Sequence, residues 1–126
     1  MSKTTLEVGQ QLVALCKQGK NDEAVETLYS PDIVSVEAAS SPDMPAEVRG
    51  MKTLKERSQW WRSNHTIHTQ TAEGPFPHGD RFIVRFTYDL TSKPMGNKRI
   101  QLDEMALFTV ADGKIVREEF FYTTGG

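Results

Sequence analysis

The residue best suited to chemistry in this sequence is a glutamate on the apolar face of a predicted strand. Residues 99–110 alternate as a β-strand does, and Glu104 falls on the apolar face of that repeat. Its neighbours on that face are Leu102, Ala106, Phe108 and Val110. Burial raises the pKa of a carboxyl group, and the protonated acid can then donate a hydrogen bond to a developing oxyanion. The other interpretation places Glu104 at the open end of the sheet, near water or an arginine.

Glu37 raises the same question on an earlier predicted strand. It shares a face with Ile33 and Ser35, close to the point where that strand gives way to a loop. If Glu37 and Glu104 point into one pocket, they supply the base and the acid that acid–base catalysis requires. Otherwise Glu37 is a polar residue at the end of a strand.

The last predicted strand carries further candidates on both of its faces. One face has Glu118, Phe120 and Tyr122, and the other has Arg117, Glu119 and Phe121. Each face has an aromatic residue and a carboxylate, so the alternation does not decide which one points inward.

Two histidines could carry protons near neutral pH. His65 and His68 are three residues apart, which places them on opposite faces of an extended strand and prevents them from chelating a metal together. His78 lies in a predicted turn, and no third metal ligand can be placed. We therefore expect neither a metal nor a cofactor, and we keep His68 as a candidate for the pocket.

Composition and charge exclude several classes of protein. The 126 residues suffice for one domain, and a net charge of −2 provides no basic surface for nucleic acid or anionic lipid. No stretch approaches the roughly 20 apolar residues that span a bilayer, and the first residues lack the apolar core of a signal peptide. The lone Cys16 excludes an internal disulfide. We expect a soluble, cytoplasmic protein with no nucleic-acid or membrane partner.

Three helices are predicted in the first half of the chain. A capping box of Thr4 and Glu7 begins the first, which ends at Gly19. Asn21 is predicted to cap the second helix, and the third covers residues 51–64.

The strands alternate in polarity and follow mainly in the second half. We predict them at residues 32–38, 65–72, 81–90, 99–110 and 114–122. Residues 40–50, 73–80 and 92–97 are predicted as loops or turns, and residues 111–113 as a hairpin. Helices that cover one face of an antiparallel sheet make an α+β domain.

Four parts of the sequence carry a family resemblance. They are EAVETLYSPDIVSVE, the RG before the third helix, GDRFIVRFTYDLT and EMALFTVADGKIVREEFFY, and together they extend over nearly the whole chain. In these the chain resembles the nuclear transport factor 2-like superfamily, specifically its SnoaL-like and ketosteroid-isomerase-like bacterial members. The resemblance implies one domain over residues 1–126: a cystatin-like cone whose curved antiparallel sheet wraps around the helices and encloses a pocket. It also implies a homodimer through the outer face of the sheet, where we expect Met105, Leu107 and Phe121.

The ketosteroid isomerase pattern assigns roles to individual positions of this chain. It implies that Glu37 is the catalytic base and Glu104 the acid that binds the oxyanion. It also turns Val84, Phe86, Tyr88, Glu118, Phe120 and Tyr122 toward the cavity. Leu12 stands where the isomerases have a tyrosine as the second oxyanion donor, which Tyr88 or Tyr122 could replace. Trp61 is expected either in the core or in the cavity wall.

Three functional hypotheses follow. The first is a pocket protein of SnoaL-like type that binds a small apolar molecule and catalyses proton transfer on a carbonyl compound, leading to isomerisation, cyclisation or dehydration. Glu37 would remove the proton, Glu104 would bind the enolate oxygen, and Tyr122 or His68 would assist. The second is a non-catalytic ligand-binding or protein-association domain whose glutamates pair with Arg85 or Arg117. The third is a structural homodimer with a filled interior.

Overall fold

A computed structural model describes residues 2–40 and 45–123 of the 126-residue chain. The helices are α1 (Thr5–Lys17), α2 (Asn21–Leu28) and α3 (Met51–Asn64). The strands are β1 (Tyr29–Val36), β2 (Glu47–Arg49), β3 (His65–His78), β4 (Arg81–Ser92), β5 (Lys98–Ala111) and β6 (Lys114–Phe121). They form one sheet in the order β2-β1-β6-β5-β4-β3. The predicted α+β fold is confirmed.

The sheet is mixed, whereas the sequence predicted an antiparallel one. Four pairings are antiparallel, but β1 runs parallel to β6, with Ser35 opposite Glu118. In the sheet β1 lies between β2, the next strand in the sequence, and β6, the last one. This pairing brings the end of β1 beside the middle of β6, where several functional candidates lie.

Two segments predicted as connections contain strands. Residues 47–49 pair with β1, although residues 41–44 of the same predicted loop lie outside the described residues. Residues 73–78 continue β3 beyond a register shift. Proline is tolerated there because β3 is an edge strand, where Pro75 and Pro77 have no need to donate toward a further strand.

The predicted start of α1 is confirmed and the predicted cap of α2 is wrong. The Thr4 hydroxyl accepts from the Glu7 amide and the Glu7 carboxylate accepts from the Thr4 amide, which completes the capping box. Asn21 is the first residue of α2 and not its cap. Its Oδ1 atom accepts a hydrogen bond of 3.0 Å from Gln70 on β3, and this tertiary contact replaces the local one.

The alternating residues of β4 and β5 form the inner face of the sheet. The β4–β5 register is unbroken from Arg81–Thr109 to Ser92–Lys98, so inward residues of the two strands remain aligned along their whole length. Phe82 and Phe108 stack with ring centroids 5.0 Å apart. Glu104 lies opposite Phe86 in this register and is buried, as its phase in the sequence predicts.

The hairpin between β5 and β6 turns through Asp112 and Gly113. Both have positive φ, at 50° and 76°. Two such residues make the tight turn whose twist matches that of the flanking strands. The predicted hairpin at residues 111–113 is confirmed.

Candidate functional site

A cavity of about 520 Å³ lies between the helices and the inner face of the sheet. Its apolar wall comes from α2, α3 and the three strands β3, β5 and β6. It is formed by Val25, Leu54, Trp61, Ile67, Leu102 and Phe120. Polar side chains reach the same space from the end of β1 and from α3, β4, β5 and β6. A cavity of this volume, with an apolar wall and a few polar groups, is typical of a site that binds a small molecule.

Glu104 extends from β5 into this cavity. It is 9% exposed and makes no hydrogen bond to any residue that the structure describes. Burial raises the pKa of Glu104 to about 8, and the nearby Glu37 and Glu118 add to the rise. Since this value lies above neutrality, Glu104 is mostly protonated at pH 7 and can act as a hydrogen-bond donor.

Glu37 is held by two donors at the end of β1. The Tyr122 hydroxyl donates to Glu37 Oε2 over 2.9 Å, and Arg57 Nη2 lies 3.3 Å from Glu37 Oε1. The side chain remains 29% exposed. The carboxylate is therefore fixed in direction while part of it stays accessible.

Glu118 is the most deeply buried of the three cavity glutamates and has two hydrogen-bond donors. It is 3% exposed and accepts from the Tyr29 hydroxyl and, over 2.8 Å, from the Ser35 hydroxyl. Arg57 donates in turn to Ser35. Burial raises the pKa of Glu118, and this is opposed by the Tyr29 and Ser35 hydrogen bonds and by the Arg57 charge. These contacts connect Glu118 to Glu37 through Ser35 and Arg57.

The cavity brings together seven of the residues predicted for the site. They are Glu37, Trp61, Tyr88, Glu104, Glu118, Phe120 and Tyr122. The sequence left open which face of the last strand points inward. The face with Glu118 and Phe120 is the one that lines the cavity. The other face carries Phe121, which is 55% exposed.

Other predicted residues lie elsewhere. Leu12, Val84 and Phe86 are buried in the hydrophobic core and do not line the cavity, because α1 packs directly over β3 and β4. Their alternation is the same for core and cavity wall, so it could not separate the two.

His68 is on the outside of the molecule. A register shift between Ile67 and Thr69 leaves Ile67 in the cavity wall and His68 exposed, with its Nε2 atom 2.8 Å from the Thr91 hydroxyl. His65 stacks on Trp61, with ring centroids 4.5 Å apart. Neither histidine lines the cavity.

The arginines proposed as partners of the glutamates pair with other carboxylates. Arg85 forms two hydrogen bonds with Asp103, and Arg117 donates to Glu119 over 2.6 Å. Neither contacts a cavity glutamate, so the pairing on which the protein-association hypothesis depended is not found.

Sequence reasoning missed Arg57, although a signal was present. On α3, Arg57 lies three residues after Leu54 and four before Trp61, in the stripe that faces the sheet. A charged residue in phase with an apolar stripe is the same signal that pointed to Glu104. The contacts of Tyr29 and Ser35 with Glu118 had no such signal, because they depend on the parallel β1–β6 pairing.

The described residues form neither a metal centre nor a membrane-spanning helix. Within residues 2–40 and 45–123, no group of three His, Cys, Asp or Glu residues could hold a metal ion. No helix among the described residues has the length and apolar character needed to cross a membrane.

Comparisons with known proteins show the family and the fold. A family model described as "SnoaL-like domain" matches residues 3–122. No curated protein matches the chain. Among solved structures, a candidate SnoaL-like polyketide cyclase from Mesorhizobium loti has 40% sequence identity and a TM-score of 0.90. The match covers 95% of this chain and 100% of that protein.

More distant structures share the fold alone. A protein of ketosteroid-isomerase-like fold from Catenulispora acidiphila DSM 44928, crystallised with trimethylamine, has 20% identity and a TM-score of 0.71, covering 95% of this chain and 88% of that one. A LEH-like epoxide hydrolase from M. tuberculosis has 15% identity and a TM-score of 0.68, covering 94% and 82%.

The raised pKa of Glu104 makes the stability of the protein depend on pH. The folded chain keeps the Glu104 proton up to about pH 8, whereas the unfolded chain releases it near 4.5. Stability is therefore full below 4.5 and is lost as the pH rises toward 8. We expect wild type to lose on the order of 3 kcal/mol relative to Glu104→Gln between pH 5 and pH 8. Urea unfolding of both proteins measures the difference, and parallel pH dependences would contradict the assignment.

Proposed function

The chain belongs to the SnoaL-like domain family, and we propose that its cavity binds a small apolar carbonyl compound and catalyses proton transfer on it. The observation that carries the proposal is the contrast between the surroundings of two carboxyl groups in one cavity. Glu104 has no hydrogen-bond partner among the described residues and burial raises its pKa to about 8, whereas Glu37 is held by Arg57 and Tyr122. A neutral acid beside an oriented carboxylate is the arrangement that enolisation requires.

The proposed first step is enolisation. Glu37 removes a proton from the carbon next to the carbonyl group, and the electrons of that C–H bond form a carbon–carbon double bond while the oxygen becomes an enolate. Protonated Glu104 donates a hydrogen bond to that oxygen and stabilises the developing charge. The donor is lost as the pH rises through about 8, where Glu104 ionises.

Three products can follow from the same enolate. Return of the proton to another carbon gives an isomer, attack on a second carbonyl group gives a ring, and loss of a β-hydroxyl group gives dehydration. The 40% identity to a candidate polyketide cyclase supports ring formation as the first of these to test.

Exchange of carbon-bound hydrogen for deuterium tests the shared first step. We expect wild type to exchange the α-protons of an apolar ketone such as 2-tetralone. Glu37→Gln should slow exchange by about 10²–10⁴-fold, because the base is removed. Glu104→Leu should slow it by about 10²–10³-fold, because an oxyanion donor is removed. NMR follows the loss of the α-proton signal.

Glu119→Gln is the matched control for these variants. Glu119 neighbours Glu118 in the sequence, but it contacts Arg117 and does not line the cavity. The Glu119→Gln variant should therefore exchange the α-protons as fast as wild type does. Full exchange activity in Glu37→Gln or Glu104→Leu would overturn the assigned roles.

We also propose that two copies pair through the outer face of the sheet. Met105 and Phe121 lie opposite each other on β5 and β6, and they are 42% and 55% exposed. Ile83 on β4 adds a third side chain, 37% exposed. Adjacent exposed apolar residues of this kind favour association.

A charge in this patch should separate the copies. We expect wild type to elute as a dimer in size-exclusion chromatography with light scattering, and Met105→Glu as a monomer. Leu6→Glu is the matched control, since Leu6 is 44% exposed on α1, outside the patch, and its replacement should leave the dimer intact. A monomeric wild type, or a dimeric Met105→Glu variant, would contradict the proposal.

A further inference from the structure

The cavity has a carboxamide end, formed by Asn21 at the start of α2 and Gln70 on β3. Both residues are half-buried, and the proposed proton transfer uses neither. Gln70 Nε2 donates to the Cys16 carbonyl over 2.7 Å and to Asn21 Oδ1 over 3.0 Å. Because a backbone carbonyl oxygen can only accept, the contact with Cys16 fixes which end of the Gln70 carboxamide is the nitrogen. The contact with Asn21 then fixes the second carboxamide in the same way.

Each of these carboxamides has one group left for a ligand. Gln70 Oε1 accepts from no described residue, and Asn21 Nδ2 donates to none. Within residues 2–40 and 45–123, the buried side-chain nitrogen or oxygen that is sealed from solvent and lacks a partner is Arg57 Nη1. The free atoms of Asn21 and Gln70 are therefore open, and both residues line the cavity. The carboxamide end thus offers one uncharged acceptor beside one uncharged donor.

The charged side chains next to the carboxamide end pair with each other. Arg62 on α3 forms an ion pair with Asp22 on α2, and both residues line the cavity. An ionic group on a ligand would have to break this pair to gain a partner of opposite charge there. The free donor and acceptor of Asn21 and Gln70 instead match an uncharged group that can both accept and donate, and a hydroxyl group is the smallest of that kind.

The carboxamide end lies across the sheet from Glu104. Gln70 on β3 pairs with Tyr88 on β4, which pairs with Leu102 on β5, two residues before Glu104. Neighbouring strands are about 4.8 Å apart, and two residues along a strand span about 6.8 Å. The backbones of Gln70 and Glu104 are therefore roughly 12 Å apart in this register. Tyr88 and Leu102 lie between them and line the cavity, so the surface that joins the two polar ends is largely apolar.

We propose that Asn21 and Gln70 are specificity-determining residues that bind a hydroxyl group at the far end of the substrate. The inference rests on the proposed function and narrows its substrate class. The substrate is an uncharged, largely apolar compound about as long as two fused six-membered rings, with a carbonyl group at one end and a hydroxyl group at the other. The hydroxyl donates to Gln70 Oε1 and accepts from Asn21 Nδ2. A site built to bind a hydroxyl group discriminates against an analogue without it, because its own polar groups then lose their partners.

Three ligands that differ at one position test the inference. They are 2-tetralone, 6-hydroxy-2-tetralone, whose hydroxyl can donate and accept, and 6-methoxy-2-tetralone, whose oxygen can only accept. We expect wild type to bind the hydroxyl compound at least tenfold more tightly than 2-tetralone, because it gains two hydrogen bonds. Isothermal titration calorimetry measures the three dissociation constants. Gln70→Met removes the acceptor and keeps a side chain of similar length, so it should reduce this preference to less than threefold.

Asn21→Asp replaces the free donor with an acceptor of the same shape. The other carboxylate oxygen can still accept from Gln70 Nε2, so the contact between α2 and β3 is kept. An acidic residue in the first turn of a helix is also favourable. We expect the variant to bind the methoxy compound at least fivefold more weakly, relative to 2-tetralone, than wild type does. The hydroxyl compound should keep its preference, because it can donate to the carboxylate. A loss of packing alone would weaken all three ligands together.

Gln18→Glu is the matched control for Asn21→Asp. It makes the same change from amide to acid three residues earlier, at an exposed position at the end of α1 that does not line the cavity. The three ligands should bind to this variant in the same order and with the same ratios as to wild type. Circular dichroism checks that each variant is folded, and if Asn21→Asp is unfolded, Gln70→Met decides.

The outcomes separate the inference from the proposed function, because binding is measured without turnover. If wild type binds the hydroxyl compound no more tightly than 2-tetralone, or binds none of the three ligands, the inference is overturned. Deuterium exchange that depends on Glu37 would leave the proposed function standing in that case. If wild type exchanges no α-protons but shows the hydroxyl preference, and Asn21→Asp weakens only the methoxy compound, the proposed function fails and the hydroxyl site stands. An Asn21→Asp variant that binds all three ligands as wild type does also overturns the inference.

Discussion

Three carboxyl groups share one largely apolar cavity, and the structure depends on which of them have hydrogen-bond donors. Three carboxylates brought together away from water would repel one another, so each needs either a donor or a proton. Glu118 accepts from Tyr29 and Ser35, and Glu37 accepts from Tyr122 and lies against Arg57. Glu104 has no such partner within residues 2–40 and 45–123, and it keeps its proton to about pH 8. Burial, which no donor among the described residues opposes, thus turns Glu104 into an acid beside Glu37, whose direction Arg57 and Tyr122 fix.

The fold gives the three glutamates these different surroundings by bringing distant parts of the chain to one place. The parallel β1–β6 pairing sets Ser35 against Glu118, and α3 crosses above so that Arg57 reaches both Ser35 and Glu37. The continuous β4–β5 register carries Glu104 to the inner face. The hydrogen bonds of Glu118 tie β1 to β6 beneath the cavity. The same contacts therefore stabilise the sheet and orient the base.

Local patterns predicted the elements and the burial of single residues well. The phase of Glu104 among apolar neighbours depends only on its own strand, and the capping box at Thr4 and Glu7 depends only on one helical turn. Both predictions are confirmed. The cone-like architecture was predicted from the resemblance to the SnoaL-like family and not from these local patterns.

Predictions that depended on how two helices or strands contact each other were less accurate. Phe86 and Tyr88 alternate identically and both belong to the core, yet Tyr88 also lines the cavity and Phe86 does not, because α1 covers only part of the sheet. The register shift that turns His68 outward depends on β4 as well as β3. The pairing of Arg57 with Glu37 joins residues on different elements, and neither residue alone indicates its partner.

The protonation of Glu104 at neutral pH is the central claim, and it can be observed directly. Protein labelled with ¹³C at the glutamate side-chain carboxyl carbon gives one resonance for each glutamate, and the Glu104 resonance is the one absent from Glu104→Gln. We predict that this resonance titrates with a midpoint near pH 8 in the ligand-free protein. A midpoint near 4.5, the ordinary value for glutamate, would show a charged Glu104 and would remove the acid on which the proposed chemistry depends.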